Sequence, residues 1–203
     1  VHVWLGGTAW TASGLPKEGG PAPAGLHWDL WLGPAEERPY SNRYHPVKWR
    51  CYWNFGGGHL ADTGCHFMDL PFWALGLGHP LSAEAEGPEP DAHGAPPWLI
   101  ARWAFAARGE RAPVKVTWYH GDNKVPPQLA EGKLGDWKGP GVLFVGEKGL
   151  LVSNYGQHKL LPEESFKDVK APEPVIAKSL GHHQEWVEAI RGGKPALCNF
   201  DYA

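Results

Sequence analysis

Gly56-Gly57-Gly58-His59-Leu60-Ala61-Asp62-Thr63-Gly64-Cys65-His66-Phe67-Met68-Asp69 decides how the rest of the chain is read. The glycine triplet breaks the preceding structure, and a run at helical period begins behind it. His59, Asp62, His66 and Asp69 follow at steps of three, four and three, which places all four on one face of a helix. Leu60, Phe67, Leu70 and the run Pro71-Phe72-Trp73-Ala74-Leu75 supply packing around that face. Two imidazoles and two carboxylates on one stripe are too many for a comfortable core and too ordered for a random surface. Such a set suits proton transfer or metal ligation. One ion cannot take all four, because they are stretched over about 15 Å of helix.

Beyond the helix, Gly76 and Gly78-His79-Pro80 give a stop. Residues 81–86 alternate and read as a strand, and 87–97 as a Pro-rich turn. The clearest strand is 98–105, with Trp98, Ile100 and Arg102 on one side and Leu99, Ala101, Trp103 and Phe105 on the other. A short turn leads to 114–119, so a hairpin is expected. A second hairpin pairs 141–145 with 150–153 across Gly146-Glu147-Lys148-Gly149, and 159–162 adds an edge strand. Residues 182–191 read as a helix closed by Gly192-Gly193, with Trp186, Ala189 and Ile190 forming a buried stripe.

Before the central stretch, 1–5 read as a strand, 6–27 as a long loop or arm, and 28–34 as a helical turn stopped by Gly-Pro. Residues 38–55 interleave aromatics with arginines and read either as a pocket wall or as a loop packed by its own rings. Residues 120–140 form another long polar loop. The sum is α+β: helices on one face of an open, mostly antiparallel sheet. No G-x-G-x-x-G opens a helix after a strand, so no dinucleotide fingerprint is present.

Composition agrees with a folded chain of 203 residues: 42% hydrophobic residues and 12 Trp supply a core, while 27 Gly and 20 Pro predict long, punctuated loops. A net charge of −3 with scattered basic residues speaks against nucleic acid. Cys51, Cys65 and Cys198 are too few and too dispersed for a disulfide framework or a zinc ribbon, which favours a reducing, cytoplasmic setting. No apolar run approaches a membrane span. The abrupt ends, Val1 and Ala203, suggest a piece of a longer protein, so an export signal could lie outside it.

The stretch Gly56-Gly57-Gly58-x-Leu60-x-Asp62-x-Gly64-x-His66-x-x-Asp69 resembles the motif of the Gfo/Idh/MocA family, named for glucose–fructose oxidoreductase, inositol dehydrogenase and a rhizopine catabolism protein. Residues 28–34, Arg38-Pro39-Tyr40, Tyr44-His45-Pro46, Trp49-Arg50, 141–146 and Gly181-His182-His183-x-Glu185-Trp186 are similar to a bacterial branch of it. The resemblance spans nearly the whole chain. It implies that residues 1–203 are a substrate-binding and oligomerisation domain, with an N-terminal Rossmann domain that binds NAD or NADP lying elsewhere. The family's catalytic lysine belongs to that other half, so the isolated chain is expected to be inactive.

Residue by residue, His66 matches the histidine that exchanges a proton with the substrate, and Asp62 the carboxylate that positions substrate and tunes it. Asp69 orients His66 or caps a network around it, and His59 is expected to face solvent. Tyr40, Tyr44, His45, Trp49 and Arg50 are expected to line the substrate side, with His182 and His183 as further candidates. The implied substrate is a sugar, cyclitol or related polyol. Alternatives are an NAD-dependent glycosidase of the same superfamily, a divalent-metal site on the helix stripe, and a non-catalytic oligomerisation domain. A homo-oligomer is expected, formed through the aromatic sheet face of 98–105 and 114–119.

Overall fold

Alternation along the strands makes both faces of the sheet apolar, and the computed structural model covers each of them. It describes residues 1–7 and 10–202; Thr8 and Ala9 of the first loop, and Ala203, lie outside the described residues. The described residues divide into two compact units, Val1–Lys167 and a smaller one from Asp168 onward.

In the first unit, β1 (His2–Leu5), β2 (Ser82–Glu86), β3 (Leu99–Phe105), β4 (Val114–His120), β5 (Gly141–Val145), β6 (Leu150–Ser153) and β7 (His158–Leu161) form one sheet. Its order is β2-β3-β4-β1-β5-β6-β7. β1 runs parallel to β4, and every other pair is antiparallel. Both expected hairpins form, with Leu99 opposite His120 in one and Val142 opposite Ser153 in the other.

The long helix α2 (Gly58–Leu75) lies on one face of the sheet. Its Leu60, Phe67, Met68, Leu70 and Phe72 pack with Val3, Ala101, Phe105, Val116, Trp118 and Val142. Phe72 meets Phe105 edge to face at 5.6 Å. Pro71 sits inside the helix and is buried; the helix runs four residues past it to Gly76, whose φ of +54° closes it in the left-handed conformation that glycine tolerates. Trp103 and Trp118, expected as an exposed contact face, pack under this helix instead, and Trp118 is fully buried.

The other face carries Trp4, Tyr119, Leu143, Val152 and Leu161. Here the sequence expectation needs correcting. Residues 120–140 are no merely polar loop: His120 completes β4, Pro127–Ala130 form α3, and Leu134 and Trp137 are buried against the sheet. The turn between the hairpins thus gives the second face its cover. A short helix, α4 (Glu163–Phe166), follows β7.

A third cluster packs Tyr44, Cys51 and Tyr52 with Trp10, Trp28, Trp31 and Phe55. Trp28 and Trp31 belong to α1 (Trp28–Leu32) and stack at 4.7 Å. They fill space in this cluster. A 3-10 helix at Lys48–Cys51 carries the aromatic and basic stretch into the start of α2. Gly56 makes that junction possible: a Cβ there would lie 2.8 Å from Arg50 Cα.

The second unit holds α5 (His182–Ile190). Glu185 binds it together, accepting from the Ser179 hydroxyl and from Leu197 N–H at 3.1 Å. The stripe expected to be buried is exposed: Trp186 and Ile190 show 64% and 69% of their surfaces. Helical period identified the stripe correctly, but within its own small unit too little chain lies over it. Among the described residues no helix is long and apolar enough to cross a membrane.

Candidate active site

Helix α2 presents its polar stripe as designed by the spacing, yet the four residues meet different neighbours. His66 is exposed. Its Nδ1 lies 2.8 Å from Tyr155 Oη. Tyr155 comes from the turn between β6 and β7, and its ring packs 5.3 Å from Phe67. The phenol is held above its usual pKa, first by desolvation against the helix, then by the Cys65 thiol and the Asp69 carboxylate. Asp69 therefore acts electrostatically on Tyr155.

Asp62 is half-buried and takes Arg50 Nε–H on Oδ1 at 2.8 Å. Arg50 is itself layered against two indoles, 4.4 Å from the Trp49 ring and 5.3 Å from the Trp10 ring. Asp62 is thus bonded to Arg50 rather than to His66. The spacing of Asp62 and His66 puts them on neighbouring turns of one face, with a guanidinium lodged beside the carboxylate.

His59 corrects the expectation that it faces solvent: it is buried. Residues 10–14 lie over the start of α2, where Trp10 N–H donates to His59 Nε2 at 3.3 Å. The His59 ring is 5.1 Å from His120 at the end of β4. Burial pushes the His59 imidazole pKa down, against a smaller opposing pull from Asp62. His120 is pushed down to about 4, chiefly by burial and then by His59. Asp91 pins residues 13 and 14 across to the 91–94 turn, and backbone N–H groups of His93, Gly14 and Gly94 hold its carboxyl down to about 2.

The other candidates scatter. Tyr44 is buried in the ring cluster, edge-on to Tyr52 at 4.7 Å. Tyr40 and His45 are half-buried and rest edge-on against Trp28 and Trp31 at 5.3 and 5.9 Å. Trp49 and Arg50 belong to the group beside Asp62. His182 and His183 are exposed in the second unit, their rings 4.2 Å apart. Tyr155, His120 and Trp10 were missed by sequence reasoning. Tyr155 meets His66 across 89 residues of chain, and no periodic signal links a turn tyrosine to a distant helix.

The family model described as "Oxidoreductase family, C-terminal alpha/beta domain", that of the Gfo/Idh/MocA C-terminal domain, matches residues 4–108, just over half of the chain. The chain belongs to the Gfo/Idh/MocA oxidoreductase family. The match runs from β1 through β3 and takes in the ring cluster, α2 and the Asp62–Arg50 pair. The mixed α/β architecture and the open, mostly antiparallel sheet are those of a Gfo/Idh/MocA C-terminal domain. Among curated proteins no match is found.

Gfo/Idh/MocA membership raises the question of a nicotinamide cofactor, and the glycine triplet at the start of α2 does not form a dinucleotide cradle. Beside Gly57 and Gly58 the space is taken by protein. A Cβ on Gly57 would lie 2.6 Å from Ala61 Cβ, and one on Gly58 2.5 Å from Ala95 Cβ. Nor do the helix residues converge on a metal: among the described residues no group of three or more His, Cys, Asp or Glu is placed to hold one. What the site offers is an accessible imidazole next to a fixed ion pair.

Proposed function

We propose that this chain supplies the substrate side of an NAD(P)-dependent oxidoreductase acting on a sugar, cyclitol or related polyol, with His66 exchanging the proton of the reacting hydroxyl. One observation carries the reading. His66 is the exposed histidine of the α2 stripe, and its Nδ1 is engaged by Tyr155, so Nε2 is directed to chemistry. With the Nδ1 hydrogen donated to Tyr155 Oη, Nε2 has a free lone pair and accepts the hydroxyl proton. In the reverse direction the imidazolium so formed keeps its Nδ1–H on Tyr155 Oη and returns the Nε2 proton to the carbonyl oxygen as hydride arrives at its carbon. A histidine is suited to this near neutral pH.

Asp62 and Arg50 position the substrate. The carboxylate accepts from Arg50 Nε at 2.8 Å, and the remaining carboxylate oxygen and guanidinium hydrogens are suited to vicinal hydroxyls. Trp49, stacked on Arg50, offers a ring face to the apolar side of a sugar. A nicotinamide would supply the hydride acceptor, with the dinucleotide held by a Rossmann domain of the full-length protein, as membership of the family suggests. The 203-residue chain alone is accordingly inactive.

The test uses the full-length protein. Denaturation is expected to release NAD(H) or NADP(H), and a polyol panel to give turnover. His66→Ala should lower kcat/KM by about 10²–10⁴-fold and leave the bound nicotinamide in place. Absence of nicotinamide, on release and on titration, or full activity in His66→Ala, overturns the reading.

A further inference from the structure

A cavity of about 1000 Å³ opens beside the start of α2, with His59 and His120 in its lining. The two imidazoles are 4% and 2% exposed. Their hydrogen bonds decide which nitrogen carries each proton. His59 Nε2 accepts Trp10 N–H, so Nδ1 bears the hydrogen, and this buried Nδ1 has no hydrogen-bond partner. His120 Nδ1 accepts the Trp118 indole N–H at 2.8 Å, so Nε2 bears the hydrogen. It meets Pro96 O only at 3.5 Å, the outer limit of a hydrogen bond. Two neighbouring N–H donors are therefore left without good acceptors in a buried place, where polar groups are normally satisfied.

Asp91 and the Ala95 carbonyl, both in the lining, are already engaged. Asp91 Oδ2 takes the Ser13 hydroxyl at 3.2 Å and Gly14 N–H at 2.9 Å, while Oδ1 takes His93 N–H and Gly94 N–H, each at 2.8 Å. Ala95 O takes the Thr11 hydroxyl at 2.9 Å. Donor capacity remains on Arg43, whose Nε reaches the Tyr52 hydroxyl at 3.3 Å and whose side chain is otherwise at the surface. Glu89 also lines the cavity and is exposed to water. The walls are apolar: Pro88, Pro90, Pro96, Pro97, Leu99 and the ring of Trp53.

We propose that this cavity binds a small organic carboxylate, whose oxygens take the N–H groups of His59 and His120 while its body lies against the prolines and Trp53. Two unmatched N–H donors call for an anion or carbonyl oxygen, and the charge-assisted form is the stronger, with Glu89 left in water at the exposed side. The site is separate from the proton chemistry of His66 and does not depend on it: His59 is two turns, about 10 Å, back along the helix.

The test titrates the purified 203-residue chain with benzoate and with glucuronate, using benzyl alcohol and methyl glucoside as uncharged counterparts. Affinity is read by calorimetry, and the side-chain ¹H–¹⁵N signals of the histidines are followed by NMR. At least one carboxylate is expected to bind saturably, about tenfold or more tighter than its counterpart, moving the His59 and His120 signals and not those of His66. His59→Leu should abolish that binding; should that variant fail to fold, the wild-type titration decides alone. The proposal is overturned by no saturable binding of either carboxylate, by binding no tighter than the uncharged probes, or by binding that leaves the His59 and His120 signals unmoved.

Discussion

His59 and His66 stand two turns apart on the same face of α2 and live in opposite surroundings. His59 lies under residues 10–14 and against His120, buried and neutral, with its pKa pushed down. His66 faces outward, touched by one exposed tyrosine. Helical period assigns both to one stripe, and it says nothing of what lies over each end. Local pattern sets direction, while chemistry depends on desolvation, which is imposed by distant chain. A buried imidazole resists protonation and serves packing or a buried ligand, whereas an exposed one can trade protons with a substrate.

The largest expected effect is at the buried end. Trp118 is fully buried and donates to His120, so Trp118→Ala should cost about 3–5 kcal/mol of stability by cavity formation, with His120 Nδ1 losing its donor. Urea unfolding measures it, and a loss below about 1 kcal/mol would show that the floor beneath His59 is not part of the core.

The second concerns pH. His120 is held down to about 4 in the folded chain, while an unfolded histidine titrates near 6.5. Between those values the unfolded state binds more protons, so stability rises with pH across the window. It is complete above about pH 6.5 and falls as the pH drops towards 4, by roughly 2–3 kcal/mol from His120, with His59 adding in the same direction. Urea midpoints between pH 7 and 4 should fall less in His120→Gln than in wild type. Equal slopes would erase the contrast between buried and exposed imidazoles.

Midway between the two histidines sits the half-exposed Asp62–Arg50 pair. A double-mutant cycle of Asp62→Asn and Arg50→Gln should give a coupling of about 0.5–1 kcal/mol. A coupling above about 2 kcal/mol would mean that this pair belongs with the buried end. The smallest effect is at the open end. Tyr155 is 74% exposed, and Tyr155→Ala should change stability by less than about 0.5 kcal/mol in thermal unfolding. A larger loss would make the tyrosine an anchor of the sheet edge rather than a partner of His66.

Much of this contrast was invisible before the tertiary structure. The helix and both hairpins were legible, because periods of 3.6 and 2 and the turn residues that bound them are local properties. The place of β1 was not: it lies between β4 and β5, parallel to the first, across more than a hundred residues. Leu134 and Trp137 carried no recognisable period within a polar stretch, so the cover on the second sheet face went unseen. The stripe of Trp186 and Ile190 shows the opposite failure, since an apolar period states which residues share a face and not whether anything lies upon it. In the aromatic stretch, Tyr44 and Arg50 looked alike as candidates. Packing made one a core ring and the other the partner of Asp62.

By itself the sequence determined that His59, Asp62, His66 and Asp69 share one helix face, that antiparallel hairpins follow, and that the motif is that of Gfo/Idh/MocA proteins. The first two are consequences of spacing, which is written residue by residue, and the third is a resemblance carried by the same residues. Only the tertiary structure decided that Trp10 and His120 bury His59, that Arg50 occupies Asp62, and that Tyr155 meets His66. Each of these joins residues that are remote along the chain, so each is the product of how strands order and loops close, and it is there that burial turns identical imidazoles into different chemistry.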